Sequence, residues 1–182
     1  MQRVRPYRRI IFSILFSLLF VLLIFLDQFT KSIFMNLHNN TDWQKTTVIN
    51  GFFEFRYAMN TGAAWSFLAN VSWAQTFFKV LTVISLVLFF AYYIFVCKKG
   101  YKFLRIALIL IISGTIGNFI DRIVFGGVID FISLIFGSYY FPVFNLADSY
   151  MTVGIIMLII HFLFLDKNRL INIHGKKKDN GK

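Results

Sequence analysis

The sequence predicts an all-α membrane bundle of four transmembrane helices, topped by a small extracytoplasmic β-platform and a short interfacial helix. Three observations carry that prediction. The 182 residues are 58% hydrophobic and only 15% charged, against about 25% charged in soluble domains. Four apolar stretches, Ile10–Leu26, Val80–Cys97, Ile106–Ile120 and Ser149–Leu165, contain no charged side chain. Between the first two lies a segment with the marks of a β-hairpin.

Each apolar stretch falls slightly short of the roughly 20 residues that cross a bilayer. Flanking aromatics and snorkelling lysines or arginines supply the missing turns, which gives spans at about 10–28, 76–97, 103–121 and 146–165 within one domain covering residues 1–182. The basic, apolar start resembles a cleavable leader. However, Leu26 leads into Asp27, Gln28 and Lys31 with no small-residue cleavage site, so a retained first span is expected. Between the first two spans, Thr46–Ile49 and Phe52–Tyr57 flank Asn50-Gly51, the pair that best tolerates the positive φ angles of a tight hairpin. Phe53, Phe55 and Tyr57 alternate with Glu54 and Arg56, so one strand face reads as aromatic. Asn60-Thr61-Gly62 then turns the chain into a short interfacial helix over Gly62–Phe67, with Trp65 and Phe67 as anchors. Val128–Ile132 reads as a further extended piece, and Lys176–Lys182 as a disordered basic tail.

The net charge of +11 is distributed by topology. Arg3, Arg5, Arg8 and Arg9, then Lys98, Lys99, Lys102 and Arg105, then the basic residues after Asp166 all fall on one side of four alternating helices. The positive-inside rule puts both termini in the cytoplasm. The excess charge is expected to meet anionic membrane phospholipids, and no nucleic-acid partner is expected. The lone Cys97 excludes a disulfide within the chain.

Six of the eight acids fall on the opposite side. Asp121 lies just past the end of the third span, Asp148 opens the fourth, and Asp130 lies in the loop between them. Asn118, Asp121 and Arg122 share a helix face at i, i+3 and i+4, Asn145 and Asp148 repeat the i, i+3 relation, and Asp27 precedes Lys31 by one turn. Plain structural readings exist for most of these. Asp121 with Arg122, and Asp27 with Lys31, could be paired charges at helix ends. Asn118 and Asn145 could satisfy loop carbonyls, and Asp148 suits a helix N-terminus. Asp130, flanked by Val, Ile and Phe with no cation in sequence nearer than Arg122, lacks such a reading.

Carboxylates in an expensive apolar boundary usually have a task. Two of them close together cannot both ionise cheaply and share a proton, which supplies a general base and a general acid at once. The sequence has no His-Glu-x-x-His, Cys-x-x-Cys, Gly-x-Ser-x-Gly, Walker or dinucleotide pattern, and His38, His161 and His174 are scattered. An aspartyl hydrolase needing no cofactor and no metal is therefore expected. The rivals are a small proton- or cation-coupled transporter, whose acids should run through the membrane thickness, and a non-catalytic lipid- or peptide-binding membrane protein.

Five motifs in order, Asp27-Gln28-Phe29-Thr30-Lys31, Asn60-Thr61-Gly62-Ala63-Ala64, Gly114 through Gly117-Asn118-Phe119-Ile120-Asp121-Arg122, Val128-Ile129-Asp130-Phe131, and Phe144-Asn145-Leu146-Ala147-Asp148, run through nearly the whole chain. In these motifs the chain resembles the bacterial lipoprotein signal peptidases, signal peptidase II. The resemblance implies an aspartyl endopeptidase of the bacterial cytoplasmic membrane. Such an enzyme cleaves diacylglyceryl-modified prolipoproteins just before the lipidated cysteine, and a monomer is expected. It implies a catalytic dyad at Asp130 and Asp148 near the extracytoplasmic surface. Asn60, Gly62, Asn118, Asp121, Arg122 and Asn145 would support the site, as would the pair Asp27 and Lys31 at the top of the first helix. The family's β-cradle would fall on the hairpin segment. Trp65 departs from the family, standing where Phe is usual.

Overall fold

The computed structural model describes residues 6–41, 43–62, 71, 73–99 and 101–165. The interfacial helix expected at Gly62–Phe67, Trp65 with it, lies outside these residues except for Gly62, and so does the basic tail. The element order is α1 (Pro6–Asn40), β1 (Lys45–Ile49), β2 (Phe53–Asn60), α2 (Ala74–Lys99), α3 (Lys102–Val124), β3 (Val128–Phe136), β4 (Tyr139–Tyr140) and α4 (Leu146–Ile160), which ends in a π-helical turn at His161–Leu165. All four helices are long and apolar enough to cross a membrane.

The first helix runs well past the span end expected near residue 28. Its apolar portion, Ile10–Asn40, has 31 residues, or ~46 Å at 1.5 Å per residue, against ~30 Å of hydrocarbon. The extension has a reason in packing. Phe34 stacks on Phe131 with centroids 4.4 Å apart and meets Phe55 at 4.9 Å, while His38 stacks on Tyr57 at 4.1 Å. The last turns of α1 are thus the wall against which the sheet is built, and charge at Lys31 does not stop the helix because Lys31 is buried among partners.

The strands form one antiparallel sheet in the order β1-β2-β3-β4. The expected hairpin forms, with Gly51 at φ +70° and Phe52 N–H donating to Ile49 O. Between Phe55 and Ala58 the register slips, so that Arg56 and Tyr57 lie opposite the single residue Phe131. The third strand is longer than expected, reaching Phe136, because β4 folds back on its far end through Gly137-Ser138. Glu54, on the strand face opposite the alternating aromatics, is 1% exposed, and Lys45 Nζ reaches its Oε2 at 2.9 Å.

Lipid is as apolar as the helices, so burial alone does not hold them together; close packing and polar contacts do. α3 packs against α1, α2 and α4. Gly154 of α4 lies so near α3 that a Cβ there would meet Ala107 O and Ile111 Cγ1 at 2.7 Å, and Gly114 faces Ala147 and Met151 as tightly. Around that seam Val96, Leu104, Leu108 and Ile112 form one buried cluster, and Phe16, Leu23 and Ile109 another. The outward faces of α1 and α2 stay apolar, as at Leu18, Val21, Val87 and Leu88.

Candidate active site

The end of α3 that carries Asn118 and Asp121 holds a dense polar network. Lys31, 1% exposed, places its ammonium 2.9 Å from Asp27 Oδ2, 2.9 Å from Asp121 Oδ2 and 3.0 Å from Asn118 Oδ1. Three donors meet three acceptors, the full capacity of a lysine. Asp121 therefore pairs across helices with Lys31. Arg122, its chain neighbour, points elsewhere because adjacent helical residues do not face each other. The guanidinium reaches back to Asn118 O at 3.4 Å and lies over the Phe78 ring.

The remaining carboxylate oxygens are also engaged. Asp27 Oδ1 accepts from the backbone N–H of Ala147 at 2.9 Å, capping α4 from another helix. A negative group suits that positive end. Asp121 Oδ2 accepts from Ile129 N–H at 3.1 Å, which fixes the start of β3 beside α3. Gln28 links Asp27, Gly117 O and Asp121 Oδ1 through one amide nitrogen.

Asp130 and Asp148 meet through Asn145. Its Nδ2 donates to Asp130 Oδ1 at 2.7 Å, while its backbone N–H reaches Asp148 Oδ2 at 3.3 Å. In return Asn145 Oδ1 accepts from Asp148 N–H at 2.9 Å, a reciprocal capping box at the head of α4. Asn145 Nδ2 also lies within reach of Asn118 Oδ1 and Ile129 O. The plain reading of Asp148 as an N-terminal carboxylate is thus realised, while the carbonyl Asn145 reaches, Ile129 O, belongs to strand β3 rather than to a loop. Asn118 Nδ2 donates to Asp148 Oδ1 at 2.8 Å. On the sheet side, Gly62 N–H holds Asn60 Oδ1 at 3.0 Å, which turns Asn60 Nδ2 toward Asp130 Oδ2 at 3.1 Å.

The two carboxylates have unlike surroundings. Asp130 is 2% exposed, whereas Asp148 is only half-buried. Burial, and then the charge of Asp148, push the Asp130 carboxyl up to about 7, against the opposing pull of hydrogen bonds from Asn60 and Asn145. The pair thus joins a buried carboxyl raised to about 7 to a partly exposed one.

The structure brings all ten residues named from the sequence to one end of the bundle, with Arg122 least engaged. Sequence reasoning missed Gln28, although it lies inside a quoted motif. A polar side chain between Asp27 and Lys31 on an otherwise apolar helix was the available signal. The backbone N–H groups of Ile129 and Ala147 have no sequence signal at all.

Four helices long and apolar enough to cross a membrane, with a sheet packed on them and two carboxylates that share an asparagine, mark a polytopic membrane protein with a candidate aspartic-peptidase site. Comparison with known proteins agrees. The model of signal peptidase (SPase) II matches residues 19–164. The lipoprotein signal peptidase of Listeria monocytogenes serotype 4a is 40% identical over 146 residues, 80% of this chain and 90% of its own. That of Bacillus velezensis is 40% identical over 156 residues, 86% of this chain and 93% of its own. A bacterial membrane enzyme solved by the in meso method at 2.3 Å resolution aligns with a TM-score of 0.71 and 34% identity, covering 84% of this chain and 90% of that one. The chain belongs to the signal peptidase II family.

Proposed function

We propose that this protein removes signal peptides from diacylglyceryl-modified prolipoproteins, cutting just before the lipidated cysteine, with Asp130 and Asp148 as its catalytic dyad. The observation that carries this reading is the bridge through Asn145, whose amide holds Asp130 and whose N–H meets Asp148. Relatives bearing the name lipoprotein signal peptidase support the substrate class.

In this mechanism Asp148, the more open carboxylate, takes a proton from water as it attacks the scissile carbonyl. Asp130, protonated, donates a hydrogen bond to that carbonyl oxygen and later supplies the proton to the leaving amine. Asn118 and Asn145 hold the carboxylates in place while charge moves between them, and Asn60 does the same for Asp130 from the sheet. Asp27, Lys31 and Asp121 lock α1, α3 and the start of β3 around them.

The charge asymmetry of the sequence supports cytoplasmic termini and a site near the extracytoplasmic surface of the cytoplasmic membrane. The outward apolar faces of α1 and α2 support contact with phospholipid there, and the same reading takes the protein to act as a monomer. The transporter reading loses ground because Asp27, Asp121 and Asp148 gather at one end of the bundle rather than along its depth. Incubating the purified protein with diacylated and unlipidated forms of one precursor tests the substrate class. Cleavage confined to the diacylated form is expected, and equal cleavage of both contradicts it.

A further inference from the structure

The end of the bundle remote from Asp130 and Asp148 carries a second polar cluster that peptide hydrolysis does not use. α3 begins there. A helix N-terminus presents unpaired N–H groups and a positive dipole end, which acids or capping side chains normally offset. Here the N-cap residue Tyr101 makes no side-chain cap, and the first turn holds no acid. Lys102 and Arg105 occupy that turn instead, at a spacing where like charges repel. The acids among the described residues, Asp27, Glu54, Asp121, Asp130 and Asp148, belong to the opposite end or the sheet.

Two further observations point to a missing partner. Arg105 is wedged between α1 and α2, its guanidinium carbon 4.1 Å from the Phe16 centroid and 5.8 Å from that of Tyr93. Its Nη2 makes a long 3.4 Å contact to Tyr93 Oη, while Nε is buried and has no partner among the described residues. On the other flank of the N-cap, His161 is 9% exposed, its buried Nδ1 has no partner among the described residues, and its ring lies 5.7 Å from that of Tyr101. Lys102 Nζ sits 3.8 Å over the ring of Phe12 on α1.

An anion seated at this terminus would complement the uncapped N–H groups, the Lys102 charge and the unpartnered donor of Arg105, all in one helical turn. We propose that the N-terminus of α3, with Lys102 and Arg105, is a binding site for a phosphate-class anion, supplied by an acidic phospholipid headgroup. Arginine suits phosphate because its planar fork makes paired charge-assisted hydrogen bonds. Basic clefts between helices at the cytoplasmic face are where such headgroups bind. Assigning the ligand to the inner leaflet rests on the topology proposed above; the anion site itself does not.

Thermal unfolding of the purified full chain in neutral detergent micelles tests this, with added phosphatidylglycerol, phosphatidylcholine or inorganic phosphate. Phosphatidylglycerol should raise the Tm of the parent protein and of Lys79→Gln, a charge loss elsewhere, by several degrees. The rise should be less than half as large in Lys102→Gln and Arg105→Gln. Without any added anion, Lys102→Glu should unfold at a higher temperature than the parent, because it sets a carboxylate on the positive helix end. With phosphatidylglycerol the order should reverse. An equal rise with inorganic phosphate keeps the site and makes its ligand a free anion. The proposal is overturned if Lys102→Glu gains nothing in anion-free micelles, or if Lys79→Gln loses as much of the lipid effect as Lys102→Gln. The Lys102 variants keep the test intact should Arg105→Gln fail to fold.

Discussion

Lys31 Nζ lies 3.0 Å from Asn118 Oδ1, and that contact ties the charged core of the bundle to the carboxylate at the head of α4. An amide whose oxygen is taken must present its nitrogen elsewhere, and Asn118 Nδ2 donates to Asp148 Oδ1 at 2.8 Å. Lys31 thereby fixes the orientation of an asparagine it shares with Asp148, although it does not touch Asp148 itself.

Replacing Lys31 with Met should be costly. It leaves Asp27 and Asp121 buried without their cation, and losing one partner of a buried ion pair costs about 3–5 kcal/mol. Thermal unfolding in detergent should show the loss. A Tm unchanged from the parent would mean that the triad contributes nothing to the bundle.

Packing along the α3–α4 seam makes a second prediction. Gly154→Ala inserts a methyl where Ala107 O and Ile111 Cγ1 leave no room, and overpacking of this kind costs about 1–3 kcal/mol. Ile155→Ala, one position on and exposed to lipid, should change stability far less. Equal effects at the two positions would contradict the seam.

Asp130 also links pH to stability. Its carboxyl is raised from 3.8 to about 7 in the folded protein, so the stability it lends is complete below the unfolded value and is lost as pH climbs through about 7. A shift of that size corresponds to roughly 4 kcal/mol at most. Asp130→Asn lacks this dependence, so its stability relative to the parent should rise between pH 4 and pH 8. Parallel unfolding profiles for the two proteins would contradict the buried, raised carboxyl.

The same group sets the alkaline limb of activity. With Asp130 as the proton donor, kcat/KM should fall about tenfold per pH unit above about 7. The hydrogen bond from Asn60 favours the ionised form and lowers the Asp130 value. Asn60→Ala should therefore move the limb to higher pH while reducing the maximum rate. A limb that stays in place or moves down would argue against the Asn60–Asp130 contact in the working enzyme.

Much of this arrangement was legible in the sequence because its cost is local. Acids at the ends of uncharged apolar runs stand out, and so do the i, i+3 and i+4 spacings of Asn118, Asp121 and Arg122. The four spans and the Asn50-Gly51 hairpin were visible for the same reason. Relations that depend on the third dimension were not. Asp121 faces Lys31 from another helix, Asp27 caps α4 across 120 positions, and Glu54 is buried against Lys45 of the neighbouring strand. Helix α1 outran its expected end because aromatic contacts from Phe34 and His38 to the distant strands sustain it, and hydropathy does not record them.

The central claim is that Asp130 and Asp148 together perform the cleavage. The most direct test is processing of a diacylated precursor by Asp130→Asn and Asp148→Asn, each purified and shown to be folded and membrane-inserted. Neither variant should release signal peptide at a measurable rate. Substantial cleavage by either folded variant would contradict the dyad.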